Sequence, residues 1–375
     1  MPLTPEIRWI DTPEALDAAC AEVADADVIA LDTEFFRENT FYPVPALIQF
    51  STGGPAWLVD PQAVACTDAF RRLLAEGPLK LVHAASEDLE VFAGWAGVTP
   101  SPLVDTQLAQ GLLGENPGMG YQKLVEHWTG HTLPKDETRS DWLKRPLSET
   151  QQAYAALDVI YLIEVWHQQR ESLERHGRLA WLMDDCAELV AQAGRNGEAD
   201  AQWYLRQRQL WRLTPRQVEA YRRLTTWREG ETRARNLPRG WLVHDRVLYA
   251  IAEALPENRF ELARIEDVKP SLIKRDGDTL LALVAEARHL DDAALPPAQP
   301  SPMAPEFKRV LKALKKVVNA EAEAQGLAPE VLLRRRDLEA LVIAHLEHEP
   351  LPLPSGWRGE RLNAGLIRAL EEQPR

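Results

Sequence analysis

The stretch VIALDTEF, residues 28–35, constrains the fold of this chain more than any other segment. Its first four residues are apolar without interruption, which is typical of a strand that is covered on both faces. A strand of that kind belongs to a sheet with helices packed against it. The segment therefore predicts an α/β domain near the beginning of the chain.

The residues that follow support this prediction. Two apolar runs separated by a glycine-containing turn predict a β-hairpin over residues 46–60. Helical spacing predicts a helix over residues 68–76, and a further apolar run predicts a strand over residues 79–85. A strand, a hairpin and then alternating strand and helix together predict a mixed sheet flanked by helices.

Capping residues predict where two helices of this domain begin. Ser86 is the predicted N-cap of a helix that follows the strand at residues 79–85. Ser148 and Gln151 have the spacing of a capping box, and they predict one long helix over residues 147–177.

Strand patterns disappear after about residue 200, and amphipathic helices take their place. A segment with five prolines at residues 295–306 predicts a linker between two compact pieces. The predicted organisation is an α/β domain followed by two small all-helical domains, with a weaker signal for the second of these. The predicted bounds are residues 1–200, 205–292 and 307–375, with the linker at 293–306.

Charge and composition narrow the function classes. The net charge of −14 argues against a protein that binds nucleic acid over its whole surface. Residues 206–239 are an exception, because they hold ten arginines against three acidic residues. With Trp211 and Trp227 they form either a nucleic-acid face or a helical pair with solvated arginines. The three scattered cysteines predict neither a disulfide framework nor a zinc site.

The sequence shows no apolar stretch long enough for a membrane helix and no signal peptide at its beginning, so a cytoplasmic protein without membrane contact is expected. Nothing in it requires an obligate protein partner. The phosphate-binding pattern GxxxxGK[ST] does not occur in the sequence, which excludes a helicase motor.

Acidic residues follow the predicted strands in an ordered set. Asp32 and Glu34 are two residues apart at a strand end, so their side chains share a face. Asp88 lies in the first turn of the next helix, and Asp158 lies among apolar helical residues one turn after Tyr154. Four carboxylates without a histidine or cysteine cluster favour Mg²⁺ or Mn²⁺, and two divalent cations would balance their charge.

Each of these residues also has a plain structural interpretation. The pair Asp32 and Glu34 could begin a solvated loop, and Asp88 could be an acid favoured by the helix dipole. Tyr154 could be a core aromatic, and Asp158 could cap a helix or pair with an arginine. The ordered set of all five is what favours chemistry.

The segments DTEF (32–35), HAASEDLEVF (83–92) and YAALDVIYL (154–162) resemble the three exonuclease motifs of the DEDD superfamily, in the subclass with a tyrosine in the third motif. The context TRSDWLKRPLSETQQ before the third motif is similar to the ribonuclease D family. Residues 213–265 are similar to an HRDC domain, a helical module shared with RecQ-type helicases.

This resemblance implies an RNase H-like fold and two-metal 3′→5′ exonucleolysis of RNA, with Mg²⁺ as the cofactor and Mn²⁺ as a substitute. The implied substrate is RNA with a free 3′ end, such as a transfer RNA precursor. It implies that Asp32, Glu34 and Asp158 hold one metal, that Asp32 bridges to the second, and that Asp88 acts on that second metal through water. Tyr154 would orient the attacking water.

Three further residues are candidates for substrate contacts: Phe35 and Gln49 could line a nucleotide pocket, and His83 could touch substrate. Core packing for Phe35 and a structural hydrogen bond for His83 are equally open. Two other functions also remain open at this point, a DNA exonuclease of the same fold and a non-catalytic nucleic-acid-binding protein built on the HRDC region.

Overall fold

A computed structural model describes residues 5–114, 116–134, 140–194 and 201–373. Thr138 and Arg139 of the predicted motif context, and the predicted domain end at residue 200, lie outside these residues. The described chain divides into two compact units, each treated by itself below. One comprises residues 1–37, 42–197 and 321–332, and the other comprises residues 38–41, 198–320 and 333–375.

The first unit is built on a six-stranded mixed sheet, as predicted. Its strand order is β1-β4-β3-β2-β5-β6. The strands are β1 Ile7–Ile10, β2 Val28–Phe36, β3 Val44–Ser51, β4 Ala56–Val59, β5 Leu79–Val82 and β6 Leu103–Asp105. Strand β2 pairs antiparallel with β3 and parallel with β5, so the strand that carries the first acids is central.

The sequence predicted the centre of this sheet correctly. Ile29, Ala30 and Leu31 of β2 are fully buried, as the apolar run indicates. The predicted hairpin is confirmed, because β3 and β4 are antiparallel neighbours. Fully burying one aliphatic side chain of this size stabilises the fold by about 1.5–3 kcal/mol, so the central strands contribute strongly to holding the site.

Eight helices among the described residues accompany the sheet. They are α1 Pro13–Val23, α2 Asp68–Ala75, α3 Ser86–Ala96, α4 Thr106–Leu112, α5 Tyr121–Thr129, α6 Glu149–Ile160, α7 Leu162–Arg175 and α8 Leu179–Gly194. Helix α3 begins one residue earlier than predicted: Ala85 occupies the N-cap position and makes no side-chain cap bond, so the assignment of Ser86 as N-cap is wrong.

The long helix predicted over residues 147–177 is two helices, α6 and α7, which are separated at Tyr161. The capping box at Ser148 and Gln151 is present at the start of α6, as predicted. The Tyr121 hydroxyl donates to the Leu157 carbonyl at 2.7 Å. In an uninterrupted helix, this carbonyl would accept a hydrogen bond from the amide of Tyr161. A side chain that inserts at such a point interrupts the hydrogen bonds of the helix.

After α8, the described part of the chain consists of helices and the segments that connect them. Residues 201–373 contain no strand. The helices are α9 Pro215–Ala234, α10 Arg239–Leu242, α11 Asp245–Ala254, α12 Arg259–Ala263, α13 Pro270–His289, α14 Pro305–Gln325, α15 Pro329–Leu332, α16 Arg335–Leu346 and α17 Gly356–Glu371. Short 3-10 helices lie at Trp203–Arg206, Leu210–Arg212 and Asp292–Ala294. No helix in the described part of the chain has the length and apolar character needed to span a bilayer.

At least seven of the ten arginines in the arginine-rich segment form ion pairs, so the interpretation as simply solvated arginines is wrong, and the nucleic-acid face stays a prediction. The pairs join Arg216 to Asp292, Arg222 and Arg223 to Glu219, Arg228 to Asp245, Arg233 and Arg239 to Glu229, and Arg235 to Asp276. Three of the acids lie outside the segment, so the local charge count could not include them. Trp227 is partly buried and packs against the core of the second unit.

Glu229 is the centre of this network. Its side chain is fully buried in α9, and its carboxylate accepts hydrogen bonds from Arg239 Nε at 2.7 Å and from Arg233 Nη1 at 2.8 Å. These charge-assisted bonds, with burial opposing them, hold the pKa of Glu229 below its ordinary value. These arginines therefore stabilise the helical domain through ion pairs with a buried acid.

Replacing the buried acid, Glu229→Gln, should destabilise the helical domain by about 3–5 kcal/mol, since it leaves arginine charges buried without their partner. Hydrogen exchange of the α9 amides measures this loss. The matched control is Glu231→Gln, which removes a more exposed pair with Arg235 on the same helix and should change stability by less than about 1 kcal/mol. Equal effects of the two substitutions would contradict a central role for Glu229.

Candidate active site

Three carboxyl groups converge at the carboxyl end of β2. Asp32 and Glu34 lie on β2, and Asp158 lies on α6. Each offers one carboxylate oxygen, and these three oxygens all lie within 4.8 Å of one another. The structure therefore brings together residues that are more than 120 positions apart in the sequence.

Packing of α6 on the sheet places Asp158 at this point. Ala155 of α6 belongs to the same buried cluster as Leu47 of β3 and Leu58 of β4. Tyr154 packs against this cluster from its edge, with its ring 6.1 Å from that of Trp142. Asp158 lies one helical turn after Tyr154, so both side chains are directed to the same side of α6.

Asp88 is the fourth carboxyl group of the site. It lies in the first turn of α3, is buried, and accepts a hydrogen bond from Thr33 Oγ1 at 2.5 Å. Thr33 lies between Asp32 and Glu34, so this bond ties the first turn of α3 to the strand that carries two of the other acids. Asp88 is not one of the three groups within 4.8 Å, although its charge acts on all of them.

Burial and mutual repulsion perturb the whole set. Burial raises the pKa of Asp32 well above its ordinary value, and the charges of Asp88, Asp158 and Glu34 raise it further. Burial, with the charges of Asp158 and Asp88, raises the pKa of Glu34 to about 9. Burial likewise raises the pKa of Asp158 to about 8, against a hydrogen bond from Tyr154 that lowers it, and the pKa of Asp88 to about 7.

This chemistry fits divalent cations. All donors are carboxylate oxygens, which Mg²⁺ and Mn²⁺ prefer, and the described residues bring no histidine or cysteine into the three-carboxylate group. The pKa values of these acids are raised because like charges are buried close together, and a nearby cation reverses that effect. The site is therefore arranged for ions with charges opposite to its own.

The three predicted substrate residues lie in different surroundings. Phe35 is half-buried at a register shift in β2, and Gln49 is fully buried opposite Asp32. His83 is half-buried, with Nδ1 3.0 Å from Thr106 Oγ1 and its ring 5.7 Å from that of Tyr121. Burial lowers the pKa of His83. The hydrogen bond to Thr106 agrees with a structural role for His83. The full burial of Gln49 disfavours direct contact between its side chain and a nucleotide.

Asp105 and Ala84 support the site and were not predicted. Ala84 has a φ of 58°, a left-handed conformation that is unfavourable for alanine. The carboxylate of Asp105 accepts hydrogen bonds from the amides of Ala84 and Ala85, each at 3.0 Å. These bonds fix the turn from which α3 starts, and so fix the position of Asp88. The sequence offers no signal for this, because the contact joins the turn before α3 to the end of β6, about 20 residues further along the chain.

A narrow depression, too small to admit a water molecule, adjoins Tyr154 and Asp158. Its other walls are Gln122, Leu133, Pro134 and Leu157. Gln122 Nε2 donates to the Pro134 carbonyl at 2.9 Å, which holds one wall together. None of these four residues was predicted, because they come from elements whose pattern is that of ordinary amphipathic structure.

Comparison with known proteins agrees with this geometry. Residues 7–174 match the family model described as 3′-5′ exonuclease, residues 217–284 match the HRDC domain, and residues 305–366 match the C-terminal HRDC domain of ribonuclease D. Ribonuclease D of Pseudomonas paraeruginosa is 45% identical over 98% of both chains, and that of Escherichia coli K12 is 35% identical over 98% of this chain and 99% of its own.

The chain belongs to the ribonuclease D family. The crystal structure of Escherichia coli RNase D has a TM-score of 0.87 to this chain at 34% identity, covering 99% of this chain and 100% of that one. The chain is thus a 3′→5′ exoribonuclease of the DEDD fold, with a mixed-sheet exonuclease domain followed by helical HRDC domains. This identification favours the enzyme over a non-catalytic binding protein and RNA over DNA, and the exonuclease fold implies divalent metal ions.

The raised pKa values predict how the metal-free enzyme responds to pH. Acids whose pKa is higher in the folded chain keep protons that the unfolded chain releases. Their contribution to stability is complete below about pH 4, where unfolded carboxyls titrate, and is lost as the pH rises through 7 to 9. In EDTA the Tm should therefore fall more steeply from pH 5 to pH 9 in the wild type than in Asp32→Asn.

Differential scanning fluorimetry at pH 5, 7 and 9 measures this difference. Asp17→Asn is the control, because Asp17 is an exposed acid on α1 and should leave the wild-type slope unchanged. Parallel curves for the wild type and Asp32→Asn would contradict the account of the cluster as mutually repelling buried acids.

Proposed function

We propose that this chain hydrolyses RNA from its 3′ end by a two-metal mechanism, releases 5′-mononucleotides, and trims precursor RNAs such as those of transfer RNA. The observation that carries the proposal is the convergence of Asp32, Glu34 and Asp158 within 4.8 Å, with buried Asp88 beside them. Four acids clustered in a partly buried site are unfavourable without cations, and the proposed chemistry supplies a reason for their arrangement.

The carboxylates divide between the two proposed cation positions. Asp32, Glu34 and Asp158 would hold one Mg²⁺, since their oxygens lie close together. Asp32 would be shared with the second, on the side of Asp88, which would act through water. Bound Mg²⁺ lowers the pKa of water and stabilises the negative charge that develops during phosphodiester hydrolysis. Mn²⁺ has the same preference for oxygen ligands and should substitute.

Tyr154 is proposed to orient the attacking water. Burial, with the charges of Asp158 and Glu34, raises the pKa of Tyr154 above its ordinary value, so the phenol stays neutral at any working pH. A neutral phenol can donate and accept hydrogen bonds but is a poor base. Tyr154 is therefore assigned to positioning.

The proposed substrate and domain organisation rest on the family. The Escherichia coli relative is described as an exoribonuclease involved in structured RNA processing, and we transfer that substrate class to this chain, with transfer RNA precursors as the particular case. The proposed domains are residues 1–200, 205–292 and 307–375, joined by the linker at 293–306. The matched models cover residues 7–174, 217–284 and 305–366, so the third begins two residues before the proposed domain. A cytoplasmic location remains a prediction.

Asp32→Asn should abolish nucleolysis while the fold is kept, because it removes the shared ligand and relieves repulsion among the acids. Loss of this ligand should lower the activity by about 10²-fold or more. Less than a few per cent of wild-type activity should therefore remain at saturating Mg²⁺. The control Asp17→Asn should retain full activity. A substantially active Asp32→Asn would show that Asp32 does not bridge the metals.

A product ladder on matched substrates tests direction, substrate and metal together. The substrates are a transfer RNA with a 3′ extension and a DNA of the same sequence, each incubated with Mg²⁺, Mn²⁺ or EDTA. We expect single-nucleotide steps from the 3′ end of the RNA with either metal and no products in EDTA. Equal degradation of the DNA, activity in EDTA, or oligonucleotide products would each contradict the proposal.

A further inference from the structure

Gln49 is a buried polar residue with no partner for its amide. It lies in β3 and is fully shielded from solvent. Neither its Nε2 nor its Oε1 has a hydrogen-bond partner among the described residues. A carboxamide can form up to four hydrogen bonds, so leaving all of them unmade in the interior is strongly unfavourable.

The register of the sheet places Gln49 next to the acidic site. Gln49 stands directly opposite Asp32 in the antiparallel pair of β2 and β3, and opposite Leu58 on its other side. Residues opposite one another in such a pair share a face and have Cβ atoms about 4.5–5.5 Å apart. Gln49 and Asp32 are therefore side-by-side neighbours on one face of the sheet.

Stability of the fold alone does not account for an amide at this position. The neighbour Leu58 and the cluster residue Leu47 are apolar, and an apolar side chain of similar shape would fit that environment better. Gln169, another fully buried glutamine of the same unit, uses its amide: Nε2 donates to the Thr106 carbonyl and to Gln110 Oε1, each at 3.1 Å. Gln169 Oε1 has no partner, but both amide atoms of Gln49 lack one, although Asp32 stands opposite Gln49.

We propose that Gln49 is a positioning residue that donates a hydrogen bond from Nε2 to the Asp32 carboxylate when cations are bound. A carboxylate has about four acceptor positions, so Asp32 can ligate cations and still accept a hydrogen bond from the unpartnered amide opposite it. This bond would fix the orientation of the ligand that the two cations share. This role replaces the predicted contact with the nucleotide, which the burial of Gln49 disfavours. The inference rests on the proposed cation site.

Gln49→Met tests the proposal, because methionine keeps the length of the side chain and removes the amide. Isothermal titration with Mn²⁺ should show a dissociation constant about tenfold higher than in the wild type, the usual loss when a group that orients a metal ligand is removed. In EDTA the Tm of Gln49→Met should be equal to or higher than that of the wild type, since an unpaired buried amide has been replaced by an apolar group. A loss of affinity together with undiminished apo stability is not expected of a merely structural residue.

Gln169→Met is the matched control. It should lower the Tm in EDTA, because two acceptors lose their donor, and it should leave the Mn²⁺ dissociation constant within about twofold of wild type. Should Gln49→Met fail to fold, Gln49→Asn serves in its place, since its amide is one methylene shorter and the affinity should again fall about tenfold.

Wild-type affinity in Gln49→Met, or in Gln49→Asn where that variant is used, would overturn the proposal. An equal loss of affinity in Gln169→Met would overturn it too. Failure of the proposed cation site gives a different result, because wild type and Asp32→Asn would then bind Mn²⁺ equally well.

Discussion

The repulsion among four clustered carboxyl groups, of which Asp88 is buried and the other three are half-buried, is the constraint on which the rest of the catalytic domain depends. Asp32, Glu34, Asp88 and Asp158 lie where burial disfavours their ionised forms, and each makes ionisation of its neighbours harder. A flexible chain would move such groups apart. The surrounding structure must therefore hold them in place at an expense in stability, which cation binding then offsets.

Several contacts hold the elements that carry these acids. The capping box of Ser148 and Gln151 fixes the start of α6, and Arg145 makes a two-pronged pair with Asp60 just before it, with Nε–Oδ2 and Nη2–Oδ1 distances of 2.8 and 2.7 Å. Asp105 fixes the turn before α3. Each contact uses a polar group away from the acids, so the geometry of the site is set by bonds that cation binding leaves unchanged.

The features that were predicted correctly are those that a local pattern of residues encodes. The apolar run of β2 and the hairpin could be predicted, because strand periodicity and turn residues are encoded in contiguous residues. The convergence of Asp32, Glu34 and Asp158 agrees with the motif resemblance, and the roles of the five candidate residues stay predictions. The separation of α6 from α7 could not be predicted, since it coincides with the Tyr121 hydroxyl, which reaches the Leu157 carbonyl from another helix. The short strands β1 and β6 and the helices α1, α4, α5 and α8 also escaped prediction, having too few residues or too weak a pattern. The ion pairs of the arginine-rich segment depend on acids distant in sequence, such as Asp276.

The central claim is that the acidic cluster is a site for two cations that share Asp32. The most direct test is the stoichiometry of Mn²⁺ binding, measured by electron paramagnetic resonance in the presence of a mononucleotide product. The account predicts two bound ions per chain in the wild type, with a spin-coupled spectrum, and loss of that coupling in Asp32→Asn. Two coupled ions in both proteins, or a single uncoupled ion in the wild type, would contradict it.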